Sequence, residues 1–183
     1  ERNAFLDACQ QSHWNKLKLL VLMAITSGAR KSELLQLRWC NVDFKQNIAI
    51  LYDTKNGTDR RLALPAVVIT ELNRFKEIGN GLIFSGNTDK PKDIRKAWVA
   101  ALKLADISGI DTFNDDGTVK LEKFTFHCLR HGFCSALSAS GKELSQIGKM
   151  AGHKSLQTTM RYIHQGDKEK TAITEELAMS FGI

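Results

Sequence analysis

Six side chains spread along this sequence could together bind a phosphate group and move protons to or from it. Arginine stays charged, and its planar fork matches the non-bridging oxygens of a phosphate. A tyrosine hydroxyl can attack phosphorus if its surroundings offset the roughly 4 kcal/mol needed to form a phenolate at pH 7. Together, such residues are what phosphoryl transfer to a protein hydroxyl requires without a metal. The six are Arg30, Lys55, His127, Arg130, His153 and Tyr162.

Each of the six has a role in that chemistry. The two arginines, Arg30 and Arg130, would neutralise the phosphate as its charge grows in the transition state. His127 is a candidate base or proton relay, and His153 is a candidate donor to a phosphate oxygen. Lys55 is a mobile cation that could protonate a leaving 5′ oxygen. The tyrosine is then the candidate nucleophile.

Each residue taken alone also has an ordinary structural interpretation. Arg30 could be a cation at the C-terminal end of a helix, where it contributes about 0.3 to 1 kcal/mol. Lys55 lies beside Asn56 and Gly57, so it resembles a solvated lysine of an exposed turn. Tyr162 could be a half-buried amphipathic residue. The combination, rather than any single residue, favours phosphoryl transfer.

A metal site is the second chemical alternative in this region of the sequence. His127 and His131 are one helical turn apart, and Cys128 and Cys134 lie close by in the sequence. These residues do not match the spacing of a closed zinc site. A site formed by His127, His131 and Cys134 nevertheless stays open as an alternative.

Most of the elements that must position these residues are predicted to be helices. His127 and Arg130 are three residues apart, so on a helix they leave the same face and can converge on one ligand. The predicted helices are one capped by Ser12 and ending at Gly28, one following Ser32, one from 65 to about 78, one from about 91 to 105, one from 125 to 141, one over 144–152, one capped by Ser155, and a short amphipathic one over 168–179.

A change of period in the middle of the chain predicts a small sheet. Residues 48–52 and 61–64 have the pattern of two strands, and Asn56-Gly57 is a hairpin turn signal. Residues 108–123 predict an exposed loop with a short hairpin around Asp116-Gly117. The expected fold is therefore mainly α with a small antiparallel β-sheet, in a single domain over 1–183.

Composition limits the function further. The chain has 183 residues, a formal charge of +6, a pI near 9.2 and 43% hydrophobic residues. This is globular rather than disordered, and the chain has neither an apolar run long enough for a membrane span nor a signal peptide. The four scattered cysteines are expected to be reduced thiols. We therefore expect a cytoplasmic protein without a membrane partner. Its excess positive charge points toward a polyanion, and the protein would be nucleoid-associated if that polyanion is DNA.

The residues, in their order, resemble the catalytic domain of the tyrosine recombinases, the phage integrase family. The resemblance spans nearly the whole chain and fills all six catalytic positions of the family. The matching segments are Gly28-Ala29-Arg30-Lys31-Ser32-Glu33-Leu34, Thr54-Lys55-Asn56-Gly57, His127-Cys128-Leu129-Arg130-His131, Ala151-Gly152-His153, and Tyr162.

The resemblance implies the tyrosine recombinase catalytic-domain fold and site-specific DNA strand cleavage by Tyr162. A 3′-phosphotyrosyl intermediate and a free 5′-hydroxyl form, and religation to a different strand needs neither ATP nor a metal or other cofactor. Arg30 and Arg130 would hold the scissile phosphate, while Lys55 acts as general acid. Glu33 occupies the family's acidic position beside the first arginine and would hold the site together.

His127 and His153 keep, by the same resemblance, the roles of proton transfer and of hydrogen bonding to the phosphate. Partners implied are double-stranded DNA attachment sites, a homotetramer on DNA whose C-terminal segments (here after Gly166) dock on neighbouring subunits, and accessory DNA-bending or excision proteins. Relatives also carry an N-terminal core-binding domain, which we expect to be absent from this chain, so we expect the chain alone to bind DNA weakly.

Two further functions compete with site-specific recombination at this stage. A type IB topoisomerase uses the same tyrosyl chemistry without exchanging strands, and would relax supercoils. A basic DNA-binding module without chemistry would use its cations only to neutralise phosphates, and its binding would depend strongly on salt. For such a module, Tyr162 would be dispensable.

Overall fold

The computed structural model of the protein describes residues 2–52, 59–86, 90–113, 119–153 and 155–162. Within these ranges the chain is mainly helical and contains two small antiparallel sheets, which confirms the predicted fold class. The helices are α1 (Arg2–Gln10), α2 (Leu17–Ser27), α3 (Lys31–Leu35), α4 (Ala66–Arg74), α5 (Arg95–Leu104), α6 (Phe126–Ala139), α7 (Leu144–Ala151) and α8 (Leu156–Met160). The strands are β1 (Val42–Asp43), β2 (Ile48–Leu51), β3 (Arg60–Ala63), β4 (Ile110–Phe113) and β5 (Val119–Glu122), and a short 3₁₀ helix covers Trp39–Asn41.

Helix α2 is the centre of the apolar core. Its sequence is apolar on almost every face, which is typical of a helix buried on all sides. It packs against α1, α4 and α6. It ends at Gly28, which has φ +61°, and a Cβ built there would lie 2.4 Å from the Phe133 ring of α6. Glycine is therefore required both by the backbone conformation and by the close approach of α6.

The start of α2 differs from the prediction. The predicted helix capped by Ser12 is wrong over its first residues, since α2 begins at Leu17 and a separate α1 precedes it. The Ser12 hydroxyl instead accepts the backbone N–H of Trp14 at 3.3 Å, within a turn. Trp14 is buried edge-on against Phe84, so a long-range contact holds this turn.

The three-stranded sheet has the order β1-β2-β3, with antiparallel neighbours. Its register pairs Ile48 with Ala63 and Leu51 with Arg60, so the two predicted strands are confirmed to within one residue at each end. Strand β1 was not predicted, because two residues carry no periodic signal. Lys55 and the predicted Asn56-Gly57 turn lie outside the described residues.

Helices α4 and α5 are shorter than predicted. Pro65 precedes α4 as expected, but the helix ends at Arg74 rather than near Ile78, which is fully exposed. Helix α5 begins at Arg95, where the Asp93 carboxylate accepts the Arg95 backbone N–H at 3.0 Å. The predicted hairpin in the loop 108–123 is supported by the antiparallel pairing of β4 and β5, while its turn residues lie outside the described ranges.

The last three described helices follow the predicted boundaries closely. Thr125 caps α6, Gly141 follows it with φ +71°, and Gly152 ends α7 with φ +72°. The Ser155 hydroxyl accepts the Gln157 backbone N–H at 3.2 Å, as expected for an N-cap. The predicted helix over 168–179 lies outside the described residues. None of the helices in the described ranges is long and apolar enough to cross a bilayer.

Candidate active site

Arg30 is held at the start of α3 by a carboxylate of the same helix. Its backbone is extended, and its N–H donates to Glu33 Oε2 at 2.8 Å while its Nη1 donates to Glu33 Oε1 at 2.7 Å. A cation at a helix N-terminus is unfavourably placed with respect to the helix dipole. Glu33, whose side chain is 7% exposed, offsets that cost and orients the guanidinium. The Arg30 side chain stays partly exposed, at 27%.

Arg130 is a buried cation at the point where three helices meet. Its Nη1 donates to the Gly28 carbonyl oxygen at 2.6 Å and to the Ala151 carbonyl oxygen at 2.7 Å. These carbonyls belong to the ends of α2 and α7, so one guanidinium joins both ends to α6. Burial and the neighbouring charge of Arg30 lower the pKa of Arg130. A guanidinium nevertheless stays protonated in proteins.

His153 follows the left-handed Gly152 directly. Its backbone N–H donates to Gly148 at 2.8 Å, and its Nδ1 lies 2.8 Å from the buried Thr159 hydroxyl. Burial lowers the His153 pKa to about 4, with further lowering by the charges of Arg130 and Arg30. The imidazole is therefore neutral at physiological pH and close to both arginines.

Tyr162 follows α8 and is almost completely buried. Its carbonyl oxygen accepts from the Ser138 hydroxyl at 2.7 Å, and its ring stacks on His153 with an interplanar angle of 10°. Burial raises the pKa of the phenol, and the charge of Arg130 acts in the opposite direction. The phenolic oxygen lies 2.6 Å from His131 Nδ1.

His131 is a site residue whose position the sequence did not reveal. From the sequence it was named as a possible metal ligand and as the last residue of a matching segment but was given no catalytic role, yet it hydrogen-bonds the Tyr162 hydroxyl. His127 stands one turn earlier, with its ring perpendicular to that of His131 and 4.6 Å away. Burial lowers the pKa of both imidazoles, and the charge of Arg130 lowers them further. The i, i+4 spacing was the available signal, but only the tertiary fold brings Tyr162 to it.

Among the described ranges, no three His, Cys, Asp or Glu side chains come close enough to hold a metal ion. The suggested set of His127, His131 and Cys134 therefore does not form a ligand cluster here. The Cys134 thiol is buried near the phenol of Tyr162, and burial raises its pKa.

Arg60 is a second residue that sequence reasoning missed. It begins β3, its Nη1 donates to the Ala151 carbonyl oxygen, and its Nη2 lies 3.5 Å from Glu33 Oε2. An arginine in a short strand carries no signal of such a position, because the contacts come from α3 and α7.

Five of the six predicted catalytic residues lie in the described part of the chain, and Lys55 does not. The other four lie around Arg130. The charge of Arg130 acts on His127, His153 and Tyr162, and the charge of Arg30 acts on Arg130. Guanidinium groups next to neutral imidazoles and a buried phenol form a place where an oxyanion can be bound and a phenolic proton removed.

The chain is similar to several known proteins. The family model described as "Phage integrase family" matches residues 1–169. The integrase of Salmonella phage P22 is 26% identical over 198 residues, covering 100% of this chain and 46% of the relative. Tyrosine recombinase XerA of Thermococcus onnurineus is 26% identical over 151 residues, covering 79% and 49%. The chain thus spans about half the length of these curated relatives.

Solved structures show the same fold. The Tn1549 transposon integrase in complex with circular intermediate DNA superposes with a TM-score of 0.75 at 20% identity, covering 97% of this chain and 65% of that one. The catalytic domain of bacteriophage HP1 integrase gives a TM-score of 0.69 at 22% identity, covering 98% and 94%. The topoisomerase and the non-catalytic module are not favoured by these matches. The chain belongs to the phage integrase family.

Proposed function

We propose that the protein is a site-specific DNA recombinase that cuts and rejoins DNA strands through a 3′-phosphotyrosyl intermediate. The observation that carries the proposal is the Tyr162 hydroxyl, which lies 2.6 Å from a neutral imidazole and within the field of Arg130. Family membership supports it, as does the match of almost the whole chain to an integrase catalytic domain. We accordingly propose that the chain folds as the catalytic unit.

In the first half of the reaction, Tyr162 Oη attacks the scissile phosphorus while Arg30 and Arg130 hold the non-bridging oxygens. The bond from phosphorus to Tyr162 forms as the bond from phosphorus to the 5′ oxygen breaks. The phosphodiester charge grows from one to two negative charges in the pentacoordinate transition state when a phenolate attacks. Fixed guanidinium groups stabilise this added charge without having to reorganise.

The phenolic proton must leave as the new bond forms. His131 Nδ1 is the acceptor in contact with the hydroxyl, and its lowered pKa keeps it neutral and able to accept at pH 7. His127, whose ring packs on that of His131, would relay the proton toward solvent. The roughly 4 kcal/mol needed to ionise an ordinary tyrosine at pH 7 is then shared between this base and the arginine field.

His153 would donate to a non-bridging oxygen through Nε2. For a neutral ring this requires the proton on Nε2, so the Thr159 hydroxyl must donate to Nδ1, 2.8 Å away. On the leaving side, Lys55 would give its proton to the 5′ oxygen. The reverse sequence, started by the 5′-hydroxyl of another strand, rejoins the DNA. The ester stores the bond energy, so the proposed cycle consumes no ATP and uses side-chain cations in place of a metal.

The proposed partners are double-stranded DNA attachment sites, with a homotetramer assembled on the DNA and accessory DNA-bending or excision proteins. The support is the chain's basic charge and the fold it shares with an integrase solved on circular intermediate DNA.

The test is covalent capture on a suicide duplex that carries a nick near the cleavage position of a candidate attachment site. Tyr162→Phe should abolish attachment on a denaturing gel while leaving the Kd for DNA within about twofold, because only one hydroxyl is lost. Tyr52→Phe is the matched control, since Tyr52 is the only other tyrosine and is 58% exposed. Attachment by Tyr162→Phe would contradict the proposal, and supercoil relaxation without strand exchange would favour a topoisomerase.

A further inference from the structure

Arg60 is a partly buried cation beside the proposed catalytic residues. It is the first residue of β3, five positions after Lys55, and its side chain is only 12% exposed. Removing a cation from water is costly, and burial lowers the Arg60 pKa accordingly. Such a residue persists only where its neighbours compensate for the lost solvation.

The first set of neighbours lies at the end of α7. Arg60 Nη1 donates to the Ala151 carbonyl oxygen, the same oxygen that accepts from Arg130. The adjacent Gly152 makes room for this contact, since a Cβ built there would lie 2.4 Å from Arg60 Nη1. Arg60 and Arg130 therefore fix the backbone that leads directly into His153.

The second neighbour is Glu33, which orients Arg30. Arg60 Nη2 stands 3.5 Å from Glu33 Oε2, an ion-pair distance without a hydrogen bond. Among the described residues, Arg60 Nε and Nη2 are buried and have no hydrogen-bond partner. Each oxygen of the carboxylate thus accepts one hydrogen bond from Arg30, and its pairing with Arg60 is electrostatic only.

Charge balance explains why a third guanidinium can be kept here. Arg30, Arg60 and Arg130 act on one another electrostatically, and the Glu33 carboxylate pairs with Arg30 and Arg60 and acts on Arg130. Three guanidinium charges against this one carboxylate leave two positive charges, which are equal in magnitude and opposite in sign to the two negative charges of the proposed transition state. Arg60 donates its hydrogen bond to a backbone carbonyl of the protein rather than toward solvent. Its effect on a bound phosphate therefore acts through Arg30 and Arg130.

We propose that Arg60 is a positioning residue for DNA cleavage: it locks the Ala151-Gly152-His153 turn and holds Glu33 when Arg30 turns to the phosphate. This inference rests on the proposed recombinase function. When Arg30 gives part of its hydrogen bonding to the phosphate, the unpaired N–H groups of Arg60 take up Glu33. The carboxylate then stays in place, so that Arg30 keeps its orientation toward the phosphate.

The kinetic test measures single-turnover attachment to the nicked duplex at saturating DNA. Arg60→Ala should slow attachment by about 10- to 100-fold with Kd within about twofold, because a misplacement near 1 Å can cost about 10²-fold. Arg60→Lys should recover only part of the rate, since an ammonium cannot bridge Glu33 and the Ala151 carbonyl. The matched control is Arg61→Ala, which removes the exposed neighbour in the same strand and should change the rate less than twofold.

A double-mutant cycle shows whether Arg60 acts through Glu33. The combined Arg60→Ala and Glu33→Gln variant should be far less impaired than the product of the single effects, because both changes disable one unit. Multiplicative effects, or equal rates for Arg60→Ala and Arg61→Ala, would overturn the inference.

A measurement without DNA keeps the inference independent of the recombinase assay. Amide hydrogen exchange of His153, whose N–H is bonded to Gly148, should accelerate at least tenfold in Arg60→Ala. The Leu20 amide in α2 should not change, which separates a local effect from global destabilisation. If His153 exchanges in Arg60→Ala as it does in Arg61→Ala, Arg60 does not hold the turn. Attachment by Tyr162→Phe would instead refute the recombinase function alone.

Discussion

Helix α6 connects two regions of the molecule that are built differently. Its first half, with Phe126 and Leu129, belongs to the large apolar core around α2. Its second half, with Phe133, belongs to a small buried cluster that includes Tyr162. Arg130 sits at the boundary and is tied by hydrogen bonds to the ends of α2 and α7.

The difference separates two requirements of the proposed reaction. The arginines must have a fixed geometry, because preorganised charge is what lowers the barrier, and they are attached to helices that the large core holds. The nucleophile must approach the phosphorus, and it lies two residues after the five-residue helix α8, within a cluster of few apolar side chains. Regions with few buried contacts open most readily, so we expect the Tyr162 region to rearrange without unfolding the core.

The largest expected effect comes from a substitution in the large apolar core. Leu20 is fully buried in α2, so Leu20→Ala should lower the free energy of unfolding by about 2 to 5 kcal/mol. Attachment by the folded protein should change little, because Leu20 touches no reacting group. Urea denaturation measures the first effect and single-turnover attachment the second. Val99→Ala, at a 62% exposed position, is the control and should change stability by less than about 0.5 kcal/mol.

The next effect comes from the boundary between the two regions. Arg130→Ala should slow attachment by several powers of ten, as removal of a transition-state donor costs about 2.7 to 4 kcal/mol. Rates are compared in folded protein at saturating DNA. Arg74→Ala, which removes an arginine paired with Glu71 on α4, should leave the rate unchanged. A loss below about tenfold for Arg130→Ala would show that this guanidinium does not bind the phosphate.

The smallest expected effect concerns the imidazoles on the Tyr162 side. Burial lowers the pKa of His127, His131 and His153 from 6.5, to about 4 for His153. Between pH 6.5 and about 4, the unfolded chain therefore binds more protons than the folded one. The contribution of these imidazoles to the free energy of unfolding is fully present above pH 6.5 and is lost as the pH falls toward about 4. Thermal unfolding should show this slope, and His153→Gln should reduce it. An unchanged slope in His153→Gln would refute the contribution of this residue.

Much of the fold followed from local pattern. The strands on either side of Lys55 and the ends of α6 and α7 were predicted because period, turn residues and caps are encoded within a few positions. The start of α2 was missed because the contact between Trp14 and Phe84 joins residues far apart in sequence. Strand β1 was missed because its two residues are extended only by pairing with β2.

The candidate site divides in the same way. Arg30, His127, Arg130, His153 and Tyr162 were proposed from residue type and order, whereas Arg60 and the contact of His131 with Tyr162 were not. The contacts of those two residues reach across about 27 to 91 positions of the chain. A short stretch of sequence contains only one residue of each contacting pair, so local pattern cannot reveal the contact.

The sequence by itself determined which chemical groups this protein carries and which short elements present them, since side-chain chemistry and local backbone preference need no distant partner. Only the tertiary structure decided which neutral imidazole meets the phenol of Tyr162 and that one carboxylate serves two guanidinium groups. Burial, and with it every pKa shift in the site, exists only once distant segments pack together and exclude water.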